Sequence, residues 1–92
     1  MNRTSKHLRI TGRVQGVGFR NYMAYKAAEL GIRGWVRNRV DGSVEAVVQG
    51  TPSAVTAIIE CAHRGPREAQ VSGIDVGEDT GEYTTFDMRP TA

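Results

Sequence analysis

The chain has one cysteine, Cys61, so no internal disulfide can form and a reducing, cytoplasmic setting is expected. No apolar run approaches the roughly 20 residues needed to cross a bilayer, so no membrane association is expected. The polar start Met1-Asn2-Arg3-Thr4-Ser5-Lys6 lacks the apolar segment of a signal peptide. Aromatic residues are few, 7% beside an apolar fraction of 39%, a balance that suits an ordinary globular chain. His7, Cys61 and His63 are scattered, no spacing fits a metal site, and no cofactor is expected. Acids are nearly missing from residues 1–40, which hold nine Lys/Arg and only Glu29. They gather later, at Asp75, Glu78, Asp79, Glu82 and Asp87. A basic first half suits an anionic ligand, either a small phosphate compound or a nucleic acid.

What is present is a short series of well-punctuated elements. The 92 residues suit one domain, 1–92, with one core. Leu8, Ile10 and Val14 alternate with His7, Arg9, Thr11 and Arg13, the pattern of a strand with one buried face. Phe19, Met23, Ala27 and Leu30 form one helix face, and Gly31 is placed to stop that helix. Ile32 to Val40 reads as a second strand, with Ile32, Gly34, Val36 and Asn38 on one face and Trp35, Arg37 and Arg39 on the other. Asp41-Gly42 signals a hairpin into a third strand carrying Val44, Ala46 and Val48. Gly50-Thr51-Pro52-Ser53 opens a second helix with the apolar face Val55, Ile58, Ile59 and Ala62, ended by Gly65-Pro66. Val71 to Val76 reads as a fourth strand and Tyr83 to Met88 as a short closing one.

The order β-α-β-β-α-β plus a terminal strand predicts an α+β, ferredoxin-like split βαβ sandwich: an antiparallel sheet with two helices on one face and a short C-terminal strand. Strands one and two, joined through a helix, run in the same direction. The end of the first strand and Asn38 then emerge at the same edge of the sheet. Asn38 closes an apolar stripe there and needs a hydrogen-bond partner.

At that edge lies Gly12-Arg13-Val14-Gln15-Gly16-Val17-Gly18-Phe19-Arg20, followed by Asn21. Glycines let a turn direct several N–H groups into one concavity, and the following helix N-terminus adds positive field, so the stretch predicts a phosphate cradle. Other readings fail on particular residues. Asn21 stands where a dinucleotide motif needs its third glycine, and no G-x-x-x-x-G-K-[ST] occurs. Thiolate phosphatases place cysteine six positions before the cradle arginine; here that position is Val14. A cradle without nucleophile or strong acid can still neutralise phosphoryl charge and align a water. That suffices where the leaving group departs unprotonated, as a carboxylate with an acid pKa of about 4 does. Mixed anhydrides of phosphate and carboxylic acids meet this condition.

The stretch 12–20 resembles the first signature of the acylphosphatase family, and Gly34-Trp35-Val36-Arg37-Asn38 with Gly42, Val44 and Gly50 resembles the second. Gly65-Pro66 and Tyr83-x-x-Phe86 fit as well, so the resemblance covers essentially the whole chain. It implies metal-independent hydrolysis of a small-molecule acyl phosphate to a carboxylate and inorganic phosphate, the latter also a competitive inhibitor. It further implies that Arg20 binds the phosphoryl group, that Asn38 orients the water, and that the backbone N–H groups of Gln15, Gly16, Val17, Gly18 and Phe19 complete the cradle. The chain is expected to act as a monomer.

Blander readings stand beside these. Arg20 as a solvated surface arginine is opposed by its place at a helix N-terminus, where a cation costs roughly 0.3–1 kcal/mol. Asn38 as a pre-turn residue is opposed by Asp41-Gly42, which already supplies the turn. Trp35 is expected to pack on the less covered sheet face and Cys61 to be a small core or boundary residue. His7, His63, Arg37 and Arg39 are expected at the surface, and the 75–87 acids in a solvated loop and edge strand. RNA binding is disfavoured because Ser43 to Gln49 lacks an aromatic residue and carries Glu45. A non-catalytic module that binds or senses a small anion is the alternative.

Overall fold

Alternating burial of Leu8 and Ile10 makes Thr4–Arg13 a strand, β1, in the computed structural model, which describes residues 2–92. Met1, the first residue of the expected 1–92 domain, lies outside the described residues. There follow α1 (Phe19–Leu30), β2 (Arg33–Asn38), β3 (Val44–Gly50), α2 (Pro52–Arg64), β4 (Gln70–Glu78) and β5 (Phe86–Met88). Helix α1 stops where Gly31 takes a left-handed backbone and donates its N–H to the Ala27 carbonyl. Helix α2 starts with Thr51, whose hydroxyl accepts the Ala54 N–H at 3.2 Å. Strand β2 ends at Asn38 because Arg39 already closes the hairpin, its N–H on the Ser43 carbonyl at 2.8 Å.

The strands form one sheet in the order β4-β1-β3-β2-β5. β3 is antiparallel to both β1 and β2, so β1 and β2 run the same way and end at the same edge. Both helices cover one face. Leu8, Ile10, Val36, Val44, Ala46 and Val48 from the sheet meet Phe19, Met23, Ala27, Val55, Ile58 and Ala62 from the helices in one buried cluster. Cys61 is buried at the α2 boundary, and Tyr22 of α1 donates its hydroxyl to the Cys61 carbonyl at 2.8 Å. Among the described residues no helix is long and apolar enough to cross a membrane.

The sheet is mixed rather than wholly antiparallel, because β5 pairs parallel with β2. After β4 at one edge the chain must cross to the other edge, and residues 79–85 make that crossing. Gln49 in the central strand, 2% exposed, holds the crossing in place. Its Nε2 donates to the Gly81 carbonyl at 2.9 Å and its Oε1 accepts the Tyr83 N–H at 3.4 Å. Tyr83 therefore belongs to the crossing, and the closing strand begins at Phe86 instead.

On the face away from the helices, three side chains expected at the surface are half-buried. Register places Glu45 opposite both Arg9 and Arg37. From there its carboxylate receives His7 Nε2 at 2.6 Å, Arg37 Nε at 2.7 Å and Arg39 Nη1 at 3.3 Å. Burial pushes the Glu45 carboxyl up, but the hydrogen bonds from His7 and Arg37 outweigh it and hold the group below its ordinary range. Trp35 packs there as expected, with the Arg37 and Arg89 guanidinium carbons 4.9 and 4.6 Å from its ring. His63 is exposed, as are Asp75, Glu78, Glu82 and Asp87. Asp79 is half-buried, and it accepts hydrogen bonds from Ser5 Oγ, the Gly81 N–H and the Tyr83 hydroxyl.

Candidate active site

The site begins where β1 leaves the sheet. Pairing of β1 with β4 shifts between Thr11 and Gly12, so Ser72 has no partner and the β4 backbone bulges toward β1. Gly12 accommodates the bulge: a Cβ there would lie 2.2 Å from the Gln70 carbonyl oxygen. Val14, 1% exposed, then anchors the chain in the core, and the four residues 15–18 bend before α1 begins. Gly16 and Gly18 sit at φ 74° and 80°, a left-handed conformation that costs other residues energy.

Gly18 is the N-cap of α1, and no side chain caps this end. The first bond of the helix runs from the Tyr22 N–H to the Gly18 carbonyl at 3.0 Å. The N–H groups of Phe19, Arg20 and Asn21 therefore precede the helical ladder. Among the described residues no protein acceptor meets them, nor the N–H groups of residues 15–18. Helix α2 contrasts with this, since Thr51 caps it.

Arg20 projects from the first turn of α1, exposed and without an ion pair or side-chain hydrogen bond among the described residues. Asn38 lies at the end of β2, opposite Val44 and on the face of Val36 toward the helices, half-buried. Its side chain likewise has no hydrogen-bond partner among the described residues. Arg20 and Asn38 line one cleft of about 220 Å³ together with Val14, Gly16, Gly18, Phe19, Asn21 and Met88.

Of the residues singled out in the sequence, Gly16, Gly18, Phe19, Arg20 and Asn38 line this cleft, while Gln15 and Val17, named for their backbone N–H groups alone, send their side chains elsewhere. Val17 packs against the core, and the Gln15 side chain turns away to the β2–β3 hairpin. Two lining residues were not foreseen. Asn21 follows Arg20 directly, so its proximity was available from the sequence. Met88 reaches the cleft only because β5 runs parallel to β2 and sets Met88 beside Val36.

The cleft combines a guanidinium, backbone donors that are free among the described residues at a helix N-terminus, and a neutral amide. That combination has the chemistry to accept a tetrahedral oxyanion and to hold a water beside it. The lining residues include no carboxylate, imidazole or thiol, the donors a metal site or a covalent nucleophile requires.

Comparison with known proteins points the same way. The family model described as Acylphosphatase matches residues 6–88. A curated acylphosphatase of Thiobacillus denitrificans is 57% identical over 83 residues, 90% of this chain and 93% of the relative. The structure of an acylphosphatase from Coxiella burnetii superposes with a TM-score of 0.91 at 37% identity, covering 96% of this chain and 94% of that one. The structure of HypF from T. kodakarensis is similar over 94% of this chain but only 12% of its own, with a TM-score of 0.84 and 31% identity.

Proposed function

The chain belongs to the acylphosphatase family and is an acylphosphatase hydrolase, and from that premise we propose that a water oriented by Asn38 attacks a phosphoryl group held by Arg20 and the 15–19 backbone amides. The observation that carries this is the meeting of Arg20 and Asn38, neither side chain partnered among the described residues, in one cleft at an uncapped helix N-terminus. Arg20 and the N–H groups take the charge on the non-bridging oxygens, and the fixed geometry aligns the water in line with the departing carboxylate. The carboxylate leaves without a proton, so no general acid is needed. A phosphate oxygen of the substrate accepts the proton of the attacking water.

The substrate is a small-molecule acyl phosphate. Inorganic phosphate, which shares the phosphoryl half, competes for the same cleft. Catalysis needs no metal, because the positive charge comes from Arg20 and the helix end. The domain is read as a cytoplasmic monomer. A module that only binds an anion would use the same Arg20 and turn, and turnover separates it from the enzyme.

Benzoyl phosphate hydrolysis in excess chelator tests the proposal. Wild-type protein should turn over, while Arg20→Ala should lose roughly 10²–10³-fold in kcat/KM and also bind phosphate more weakly. Asn38→Ala should lose a comparable factor in kcat and keep its phosphate affinity within about two-fold. A wild-type protein inactive under these conditions would return the chain to the anion-sensor alternative.

A further inference from the structure

Gln15 begins the turn, yet its side chain does not point into the cleft. Its Nε2 group has two N–H donors and uses both, one on the Arg39 carbonyl at 2.7 Å and one on the Ser43 carbonyl at 2.9 Å. Those two carbonyls belong to the pair that closes the β2–β3 hairpin. Arg39 directly follows Asn38, and Ser43 directly precedes Val44, the register partner of Asn38. We propose that the Gln15 side chain is a positioning residue, clamping the hairpin so that Asn38 is held in register with the phosphate-binding turn.

Three features favour a positioning role over a merely structural one. The β1–β3 ladder stops at Ile10 opposite Val44. Beyond it, among the described residues, the two Gln15 bonds are the hydrogen bonds that join residues 14–20 to residues 38–44. The hairpin also closes without Gln15, since the Arg39 carbonyl still accepts the Gly42 N–H at 3.1 Å and the Ser43 carbonyl still accepts the Arg39 N–H at 2.8 Å. Losing the clamp therefore leaves no buried carbonyl bare. It releases the spacing between the turn and Asn38, where a displacement near 1 Å can cost about 10²-fold in rate.

The inference rests on Asn38 orienting the water, and a double-mutant cycle separates the two claims. Gln15→Met keeps the length of the side chain and removes both donors; Gln15→Asn keeps the amide but falls one methylene short. Each should lower kcat for benzoyl phosphate by about 10–100-fold while the inhibition constant of inorganic phosphate stays within about two-fold. In the Asn38→Ala background either change should lower kcat by less than about three-fold, because the group being positioned is gone. Equal losses in both backgrounds, unchanged kcat in both Gln15 variants, or phosphate affinity falling in step with kcat would overturn the clamp. Asn38→Ala alone keeping near-normal kcat would instead remove the role given to Asn38, a result visible before Gln15 is touched.

Discussion

At the scale of single residues, the proposed site is made of groups whose surroundings an anion would improve. Arg20 places a cation at a helix N-terminus, a position that costs roughly 0.3–1 kcal/mol, and among the described residues no acid offsets it. A bound phosphoryl group would satisfy the cation and the helix end together. Gly18 shows the backbone side of the arrangement. It holds φ 80° and ψ 23°, and a Cβ there would meet nothing within 4 Å, so the cost of replacing it is conformational alone. Gly18→Ala should lower stability by about 1–2 kcal/mol in urea unfolding. It should also weaken inorganic phosphate binding measured by calorimetry, because relaxing the strain turns the amides. A loss of stability with phosphate affinity intact would mean that the turn amides do not contact the anion.

At the scale of elements, β1 sets the direction of the turn and β2 delivers Asn38. The bulge at Gly12 is the joint on which that direction depends. Gly12→Ala sets a Cβ 2.2 Å from backbone oxygen, so β1 and β4 must separate. The expected cost is about 2–4 kcal/mol in chemical denaturation, above the effect of an ordinary surface substitution. A change below about 0.5 kcal/mol would show that the two strands give way freely at this joint. Much of this level was legible in the sequence. The period-two apolar pattern set the facing of β1, β2 and β3, Gly31 and the run Gly50-Thr51-Pro52-Ser53 marked helix ends, and a shared strand direction brought Asn38 to the turn. What was not legible depends on partners far apart along the chain. Met88 enters the cleft through a parallel pairing that no local pattern encodes. The Gln15 clamp joins residues 24 and 28 positions apart, and nothing about a glutamine after a strand says which way it turns.

At the scale of the whole molecule, the open sheet face and the crossing loop are tied by carboxylates. Burial pushes the Asp79 carboxyl up, but hydrogen bonds from the Gly81 N–H, Ser5 and Tyr83 bring it below its ordinary range, and Glu45 behaves likewise. A carboxyl whose folded pKa is depressed stabilises the fold fully above its ordinary pKa, and that contribution is lost as pH falls through the folded value. Glu45→Gln should cost about 1–2 kcal/mol at pH 7, and the gap from wild type should close toward pH 3. Urea midpoints across that range give the comparison; a gap that stays constant would show that the Glu45 charge contributes nothing. These ties escaped the sequence reading because His7 and Glu45 are 38 positions apart. Only the strand order reveals that they meet.

Direct attack of water on phosphorus is the claim on which the rest depends, and the destination of the water oxygen tests it most directly. Benzoyl phosphate hydrolysed by the protein in oxygen-18 water with excess chelator should give inorganic phosphate carrying one labelled oxygen and benzoate carrying none. Label in the benzoate would show attack at the carbonyl carbon and would contradict the phosphoryl-transfer role given to Arg20 and Asn38.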